Sequence, residues 1–294
     1  MITPALLRGR DRYERVMDGW VDNTHDDAFT HTVVLRDDDR AVELSVVALP
    51  SPTYLIREAR CRPAAGALDV GVVAGVAKLA GTSMVGGLSR RVVELTGSGP
   101  GAAFVLGAII EVARLARQVA KLPRERAERA AGGDAWECWQ LDTTGWVDLP
   151  GSCFTYSAAG RALFASRPVL ASMRPDLYSP RPGQRRVFVR RKVARLERDT
   201  GTLVLFHSMH DDVHGFEIRY EVDAASGRIL SARSLTPKLP YVGICSEAQG
   251  RIDALVGESL DDGLRKRIQA HLGGATGCAQ LYDLTADLLK LVRA

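Results

Sequence analysis

Apolar and polar positions follow the same two-part order in each half of the chain. In the second half, alternating or β-branched segments come first, and short polar turns such as Asp199-Thr200-Gly201 separate them, as an antiparallel meander requires. The predicted strands are Arg186–Arg198, Leu203–Val213, Phe216–Val222 and Arg228–Leu235. Apolar residues then recur every three or four positions, which predicts helices over Glu247–Val256, Leu260–Leu272 and Thr276–Val292.

The first half shows the same order of elements. Its predicted strands are Tyr13–Asp22, Phe29–Arg36, Val42–Leu49 and Thr53–Ala59, and its predicted helices are Leu68–Ala80, Gly86–Leu95 and Pro100–Leu122. An appendage follows, in which Trp136–Asp148 and Ser152–Ala165 are predicted as two further extended segments. The proline-rich stretch 174–184 is the predicted linker to the second half.

A sequence repeat supports this division into two halves. Residues 79–115 align without a gap to residues 255–291 at a constant offset of 176, and ten of the 37 positions are identical. Chance alone gives about two or three identities at ordinary residue frequencies. We therefore expect an α+β fold made of two tandem copies of an antiparallel β-meander followed by about three helices, related by a pseudo-two-fold axis. The copies are predicted at residues 1–173, with the C-terminal β appendage, and at residues 185–294.

Composition limits the classes of protein that fit. A hydrophobic content of 46% with 25% charged residues is typical of a soluble globular protein. The net charge of +4 is too small and too dispersed for a nucleic-acid-binding face, and no apolar stretch is long enough to cross a bilayer. Five cysteines without C-x-x-C spacing indicate free thiols. Residues 1–22 lack the apolar core of a secretory signal. The expected location is the cytoplasm.

Short motifs in the second half give a family resemblance. Pro240-Tyr241 precedes Cys245, Leu255-Val256-Gly257 follows, and Gly273-Gly274 leads to Gly277-Cys278. These steps resemble the proline–tyrosine…cysteine step, the L-V-G-L helix and the G-C-T-H-L turn of a bacterial domain family of unknown function. The first half retains that family's terminal C-H-A-L hairpin as Cys153-Phe154. The resemblance implies a role near aromatic or acyl-thioester metabolism.

The chain departs from that family pattern at two histidine positions. Gln280 replaces the histidine of the G-C-T-H-L turn, and Phe154 replaces the histidine of the C-H-A-L hairpin. Chemistry that depends on those two histidines is therefore not expected here. In the first copy Ala102 stands at the position of Cys278, which favours a single site in the second half.

The densest polar segment is 207–214, with three of the six histidines. If the strand continues through it, His207 faces with Met209 and Asp211, whereas His210, Asp212 and His214 share the other face. Two imidazoles and a carboxylate on one face fit either a divalent metal site or a general base with an orienting acid. The alternative interpretation is an exposed polar hairpin.

Cys245 and Cys278 are the second candidates, because each is predicted at the start of a helix, where the pKa of a thiol is lowered. If the sheet brings His214 beside either thiol, a Cys–His nucleophile or a Cys/His metal site follows. The alternative is buried free cysteine in a core between helix and sheet.

Two further clusters have structural interpretations. The basic residues of the strand 186–198 are expected to pair across strands with Asp211, Asp212, Glu217, Glu221 and Asp223. Trp136, Trp139 and Trp146 either line an apolar pocket or fill the core of the appendage.

Together these patterns predict an enzyme, of the lyase, isomerase or hydrolase kind, that acts on a hydrophobic small molecule by acid–base or thiol chemistry, without an organic cofactor. The family resemblance implies that this molecule is acyl or aromatic. The alternatives are a non-catalytic binding or assembly protein and a Cys/His metalloprotein with His207, His210, His214 and Cys278 as ligands. The expected partner is the small-molecule substrate, and neither nucleic acid nor membrane is expected. The predicted catalytic residues are His210 or His214 as base, Asp211 or Asp212 as its orienting acid, and Cys245 or Cys278 as nucleophile or ligand.

Overall fold

A computed structural model of the chain describes residues 4–7, 9–66, 68–171 and 173–293. Its strands are β1 (Arg12–Asp22), β2 (Phe29–Asp37), β3 (Ala41–Ala48), β4 (Ile56–Ala65), β5 (Leu170–Ala171), β6 (Phe188–Asp199), β7 (Thr202–Asp211), β8 (Gly215–Asp223), β9 (Ile229–Lys238) and β10 (Tyr241–Val242). Eight of them form one antiparallel sheet in the order β4-β3-β2-β1-β6-β7-β8-β9, and β5 pairs with β10 separately. The fold is α+β, as predicted.

Helices cover one face of the large sheet. The α-helices are α1 (Val70–Ala77), α2 (Leu88–Thr96), α3 (Pro100–Ala116), α4 (Arg124–Gly132), α5 (Ala135–Gly145), α6 (Ala158–Ala162), α7 (Pro175–Tyr178), α8 (Leu264–Leu272) and α9 (Ala279–Arg293), and the longest 3-10 helix is Cys245–Leu255. Helix α3 packs on β1, β2 and β3, whereas α9 packs on β6, β7 and β8. In the described part of the chain, every helix is too short or too polar to cross a bilayer.

The strand order runs outward in the same way from the central pair of β1 and β6. These two strands are antiparallel, with Val16 opposite Val193, so β2, β3 and β4 lie on one side and β7, β8 and β9 on the other. Each side has its own apolar core between sheet and helices, represented by Leu44 and Leu115 on one side and by Leu205 and Leu288 on the other. The sheet is nevertheless continuous across both halves.

The two halves also share a turn that follows the first helical segment and hydrogen-bonds to the start of the fourth strand. Gly81 donates its N–H to the carbonyl of Ile56 at 2.8 Å, and Gly257 donates to Ile229 at 2.8 Å. Both glycines have left-handed φ angles, 83° and 89°, which side chains with a Cβ rarely adopt. In each half, therefore, a glycine turn of the same kind hydrogen-bonds to the first residue of the fourth strand.

A buried ionic cluster joins the helices of the two halves. The Lys192 ammonium on β6 lies 2.7 Å from Glu111 Oε1 on α3 and 3.0 Å from Asp287 Oδ2 on α9. Arg114, also on α3, contacts both carboxylates. Because a buried charge is costly unless paired, these contacts fix α3 and α9 relative to the central strands.

The basic residues of β6 find different partners from those expected. Arg191 pairs with Asp18 at 2.6 Å and Arg195 with Glu14 at 2.9 Å, both on β1. Of the five predicted acids, Asp211 forms an ion pair with Arg190 of β6, and Asp212 accepts the backbone N–H of Val189. The reason is the sheet order, which places β1 directly beside β6. Cross-strand pairing explains the basic run, but the predicted acids were mostly wrong.

The prediction of extended segments in the appendage was also wrong. Residues 136–148 lie mainly in α5, and residues 152–165 contain α6 flanked by short 3-10 turns. A capping box begins α5, since the Asp134 side chain accepts from the Glu137 N–H at 3.0 Å and the Glu137 side chain accepts from the Asp134 N–H at 3.2 Å. Ser157 caps α6 by accepting from the Gly160 N–H at 3.1 Å.

Candidate functional site

A cavity of about 170 Å³ lies between the helical appendage (residues 124–178) and the second half of the chain. Its wall is largely apolar and aromatic, with Trp146, Leu177, Phe216, Leu239 and Ala248 among its residues. A small number of polar and thiol groups also face it: Asp142, Cys153, Tyr156, Tyr178, His214, Tyr241, Cys245, Cys278 and Gln280. This composition is typical of small-molecule sites.

The turn between β7 and β8 brings His214 to this cavity. The Asp211 carboxylate accepts hydrogen bonds from the N–H groups of Val213 at 2.7 Å and His214 at 2.5 Å. The backbone N–H of Asp211 donates to the His214 carbonyl at 2.9 Å. These bonds end β7 at Asp211 rather than at Val213. The strand alternation stops there, so the predicted common face of His210, Asp212 and His214 was wrong.

His214 is oriented by a buried ion pair. Its Nδ1 lies 3.2 Å from Asp211 Oδ1, and Arg190 lies 2.6 Å from Asp211 Oδ2 on the other side. Burial alone would raise the pKa of Asp211, but the Arg190 charge and the His214 ring outweigh it and hold that pKa well below its usual range. The carboxylate therefore stays ionised and fixes the ring. Nε2 of His214 makes no hydrogen bond to any residue that the structure describes.

The other members of the histidine segment lie elsewhere. His210 is on the outer face of the sheet, 51% exposed, with Nε2 3.5 Å from Glu217. His207 is buried against α9, with Nδ1 3.0 Å from the Leu284 carbonyl, and burial lowers its pKa to about 3. Asp212 accepts from the Val189 N–H at 2.9 Å and pairs with an arginine at the cavity. Of the three histidines, His214 is the one that lines the cavity.

The structure brings both predicted cysteines to the cavity, and adds Cys153 from the appendage. The Thr155 hydroxyl lies 3.1 Å from the Cys245 thiol. The expected thiolates are not favoured, because burial raises the pKa of Cys245 to about 12 and also raises the pKa of Cys278. Desolvation outweighs the helix ends here, and Cys245 begins a 3-10 helix rather than an α-helix. The thiols are protonated wall groups.

No metal site is assembled within the ranges that the structure describes. No three or more His, Cys, Asp or Glu side chains are grouped there as metal ligands. The predicted ligand set is also spread out, since His207 faces the core, His210 faces the outer surface, and His214 and Cys278 face the cavity.

Asp142 is the polar residue of this cavity that sequence reasoning missed. It lies on α5, is 5% exposed, and accepts from the hydroxyls of Tyr156 at 2.7 Å, Tyr178 at 2.7 Å and Tyr241 at 2.5 Å. Burial raises the pKa of this carboxylate, and the three hydroxyls offset only part of that effect. The spacing of Asp134 and Glu137 is a capping-box signal that would have predicted the helix.

The two motif segments behind the family resemblance meet beside this cavity. The Phe154 N–H donates to the Gly277 carbonyl at 2.8 Å, which places Cys153 and Cys278 on the same wall. Gln280, at the position of the absent histidine, also lines the cavity.

Comparisons with known proteins add one finding. No curated protein matches the chain. A solved structure of a "putative lipoprotein" from Clostridium difficile 630 is 10% identical, covering 78% of this chain and 86% of that one, with a TM-score of 0.13. A DUF2889 domain, a family of proteins of unknown function, is found at residues 196–293. That range holds β7 to β9, α8 and α9, and therefore the wall with His214, Cys245 and Cys278.

Proposed function

We propose that this protein is an enzyme that transfers protons on a small, largely apolar acyl or aromatic substrate, with His214 as the base. The observation that carries the proposal is the His214–Asp211 pair at the wall of an apolar cavity. Nδ1 of the ring lies 3.2 Å from the carboxylate, and this bond leaves Nε2 available to a substrate. A carboxylate at one ring nitrogen stabilises the imidazolium formed when the other nitrogen takes a proton.

Acid–base chemistry fits the cavity better than thiol chemistry. A cysteine nucleophile acts as the thiolate, and burial disfavours that form at both Cys245 and Cys278. We infer that the thiols shape the apolar wall. The buried Asp211–Arg190 pair, in contrast, provides the fixed orientation that a general base needs.

The second candidate is a non-catalytic small-molecule binding protein. Burial raises the pKa values of Cys245 and Tyr156, so both stay protonated. Such thiols and tyrosines make a wall suited to binding an apolar molecule. The two candidates differ in whether His214 changes the rate of a reaction or only the affinity for a ligand.

Exchange of carbon-bound protons distinguishes these functions. The protein is incubated in D₂O with phenylacetone or with a phenylacetyl thioester, and loss of the α-proton signal is followed by NMR. We expect exchange above the buffer background, and His214→Gln to slow it by about 100-fold or more, because a general base contributes about 10²- to 10⁴-fold.

The matched control is His210→Gln, because His210 lies on the same hairpin but on the outer face. We expect this variant to exchange protons as fast as the unmodified protein. If His210→Gln removes the exchange instead, the base assignment is wrong. If neither probe exchanges although both bind, the protein is the non-catalytic binder.

We also propose that the two halves arose as copies of one unit. The offset of 176 in sequence, the mirrored strand order and the matched glycine turns at Gly81 and Gly257 support this origin. The five free cysteines support a reducing compartment, which is consistent with the cytoplasm.

A further inference from the structure

The charged groups around the cavity are unevenly paired. Each arginine at the cavity wall has a carboxylate of its own outside the cavity lining, His214 has one in its supporting turn, and none of the three is paired with Asp142. The pairs are Arg117 with Asp148 at 2.9 Å, Arg174 with Asp212, and His214 with Asp211 at 3.2 Å. Asp142 is thus a buried carboxylate that forms no ion pair within the described residues.

Asp142 also has unused capacity to accept a hydrogen bond. Two hydroxyls, from Tyr156 and Tyr241, donate to Oδ2, whereas Tyr178 alone donates to Oδ1. A carboxylate offers about four acceptor positions, so one position on Oδ1 is unused by the residues that the structure describes. Asp142 is itself part of the cavity wall, so a bound molecule can reach it.

The walls around this carboxylate suit a cation. Trp146, Phe216 and the three tyrosines line the same cavity, and aromatic rings attract an ammonium group through their negative faces. A buried carboxylate is stabilised most by a paired cation, since isolated charge is costly in an apolar site.

We propose that the substrate carries an ammonium group that binds Asp142, with its apolar part against the aromatic wall. This inference rests on the proposed function, because it names the class of molecule that the His214 cavity takes: a small aryl or alkyl amine. The ammonium donates to Asp142 Oδ1 and supplies the cation that pairs with this carboxylate, since the arginines at the wall pair with Asp148 and Asp212.

Three probes of the same shape test the charge preference. Benzylammonium, benzyl alcohol and benzoate are titrated separately into the full-length protein at pH 7 by calorimetry. We expect benzylammonium to bind about 10-fold or more tightly than benzyl alcohol, because hydrogen bonds between charged groups are the stronger ones. Equal affinity for amine and alcohol, or a preference for benzoate, overturns the proposal.

The key variant is Asp142→Asn, with Glu128→Gln as the matched control. Glu128 belongs to the same appendage, but it pairs with Arg124 and neither residue lines the cavity. We expect Asp142→Asn to abolish the amine preference and leave benzyl alcohol binding unchanged, and Glu128→Gln to keep the preference. A retained preference in Asp142→Asn overturns the proposal.

A second variant covers the case in which Asp142→Asn does not fold. Tyr178→Phe removes the hydroxyl that shares Oδ1 with the proposed ammonium, so we expect the affinity for benzylammonium to rise several-fold relative to benzyl alcohol. An unchanged or lower ratio counts against the proposal. Failure here is distinct from failure of the proposed function. If the amine preference is absent but proton exchange still depends on His214, only the substrate class is wrong.

Discussion

Two hairpin turns, one in each half, are built in the same way and end in different chemistry. In the turn after β2, the Asp37 carboxylate accepts the N–H groups of Asp39 at 3.0 Å and Arg40 at 2.9 Å. The Asp37 N–H donates to the Arg40 carbonyl at 2.9 Å. The turn after β7 repeats each of these bonds with Asp211 and His214. An aspartate that holds its own turn is therefore common to both halves.

The fourth residue of the turn makes the difference. Arg40 places its guanidinium 4.6 Å from the Phe104 ring centroid and donates to the Pro100 carbonyl at 3.0 Å. In the second half, His214 stands in place of Arg40, and Gln280 stands 176 positions after Phe104. Both line the cavity. One backbone arrangement thus supports a cation–π contact in the first half and a cavity-lining histidine in the second, where the appendage supplies the opposite wall of the cavity.

The largest expected effect comes from breaking the shared aspartate in each turn. Asp211→Asn leaves Arg190 buried without its partner, so we expect the free energy of unfolding to fall by about 3–5 kcal/mol. Asp37→Asn weakens contacts with the neutral Tyr13 hydroxyl and with Arg40, whose side chain is 17% exposed and so is still partly solvated without its partner. We expect a loss of about 1–2 kcal/mol. Urea unfolding at pH 7 measures both. Equal losses would contradict the comparison.

A smaller effect on stability at acid pH comes from one buried histidine in each half. Burial lowers the pKa of His31 on β2 to about 4. Burial, together with the charge of Lys192, lowers the pKa of His207 on β7 to about 3. The unfolded chain takes up these protons near pH 6.5, so stability is lost as the pH falls from 6.5 toward 4. Each pKa unit corresponds to about 1.4 kcal/mol, so the loss reaches a few kcal/mol.

Urea midpoints between pH 7 and pH 4.5 check this sign. We expect His207→Asn to flatten the acid side of the stability profile more than His31→Asn does. Profiles that remain parallel to that of the unmodified protein in both variants would show that other groups control acid unfolding.

The smallest expected effect comes from replacing one cavity residue of the second half by the residue at the matching position of the first half. Cys278→Ala restores the residue found at Ala102 and removes one buried atom, so we expect a cost of about 1 kcal/mol. Proton exchange should persist, because the thiol is a wall group. Loss of exchange in this variant, with its fold intact by circular dichroism, would instead identify Cys278 as a participant.

Most of the fold follows from local patterns in the sequence. The four-strand meanders were predicted because alternation marks one buried face, as in β3, where Val42, Leu44 and Val46 are buried. Helix starts were less accurate: the helix predicted from Leu260 begins at Leu264, after a turn in which the Asp261 side chain accepts from the Gly263 N–H. A side-chain hydrogen bond within the preceding turn sets this boundary, and periodicity does not detect such a bond.

The candidate site was predictable only in part. His214, Asp211, Cys245 and Cys278 were chosen from the sequence, and the structure places all four in or beside one cavity. Asp142 and its three tyrosines were not found, because those residues lie up to 99 positions apart in the chain and meet only through tertiary packing. The choice between Asp211 and Asp212 likewise depended on where β7 ends, which a hydrogen bond within the turn determines.

The continuous sheet has a consequence for any shorter fragment. Removal of residues 1–184 would uncover the whole length of β6, whose hydrogen-bonding neighbour on that side is β1, and would separate Lys192 from Glu111. An exposed edge strand of twelve residues has free backbone N–H and C=O groups that pair with a strand of another molecule. A fragment of residues 185–294, which holds all of β6 and the DUF2889 match, should therefore self-associate through β6 rather than remain monomeric.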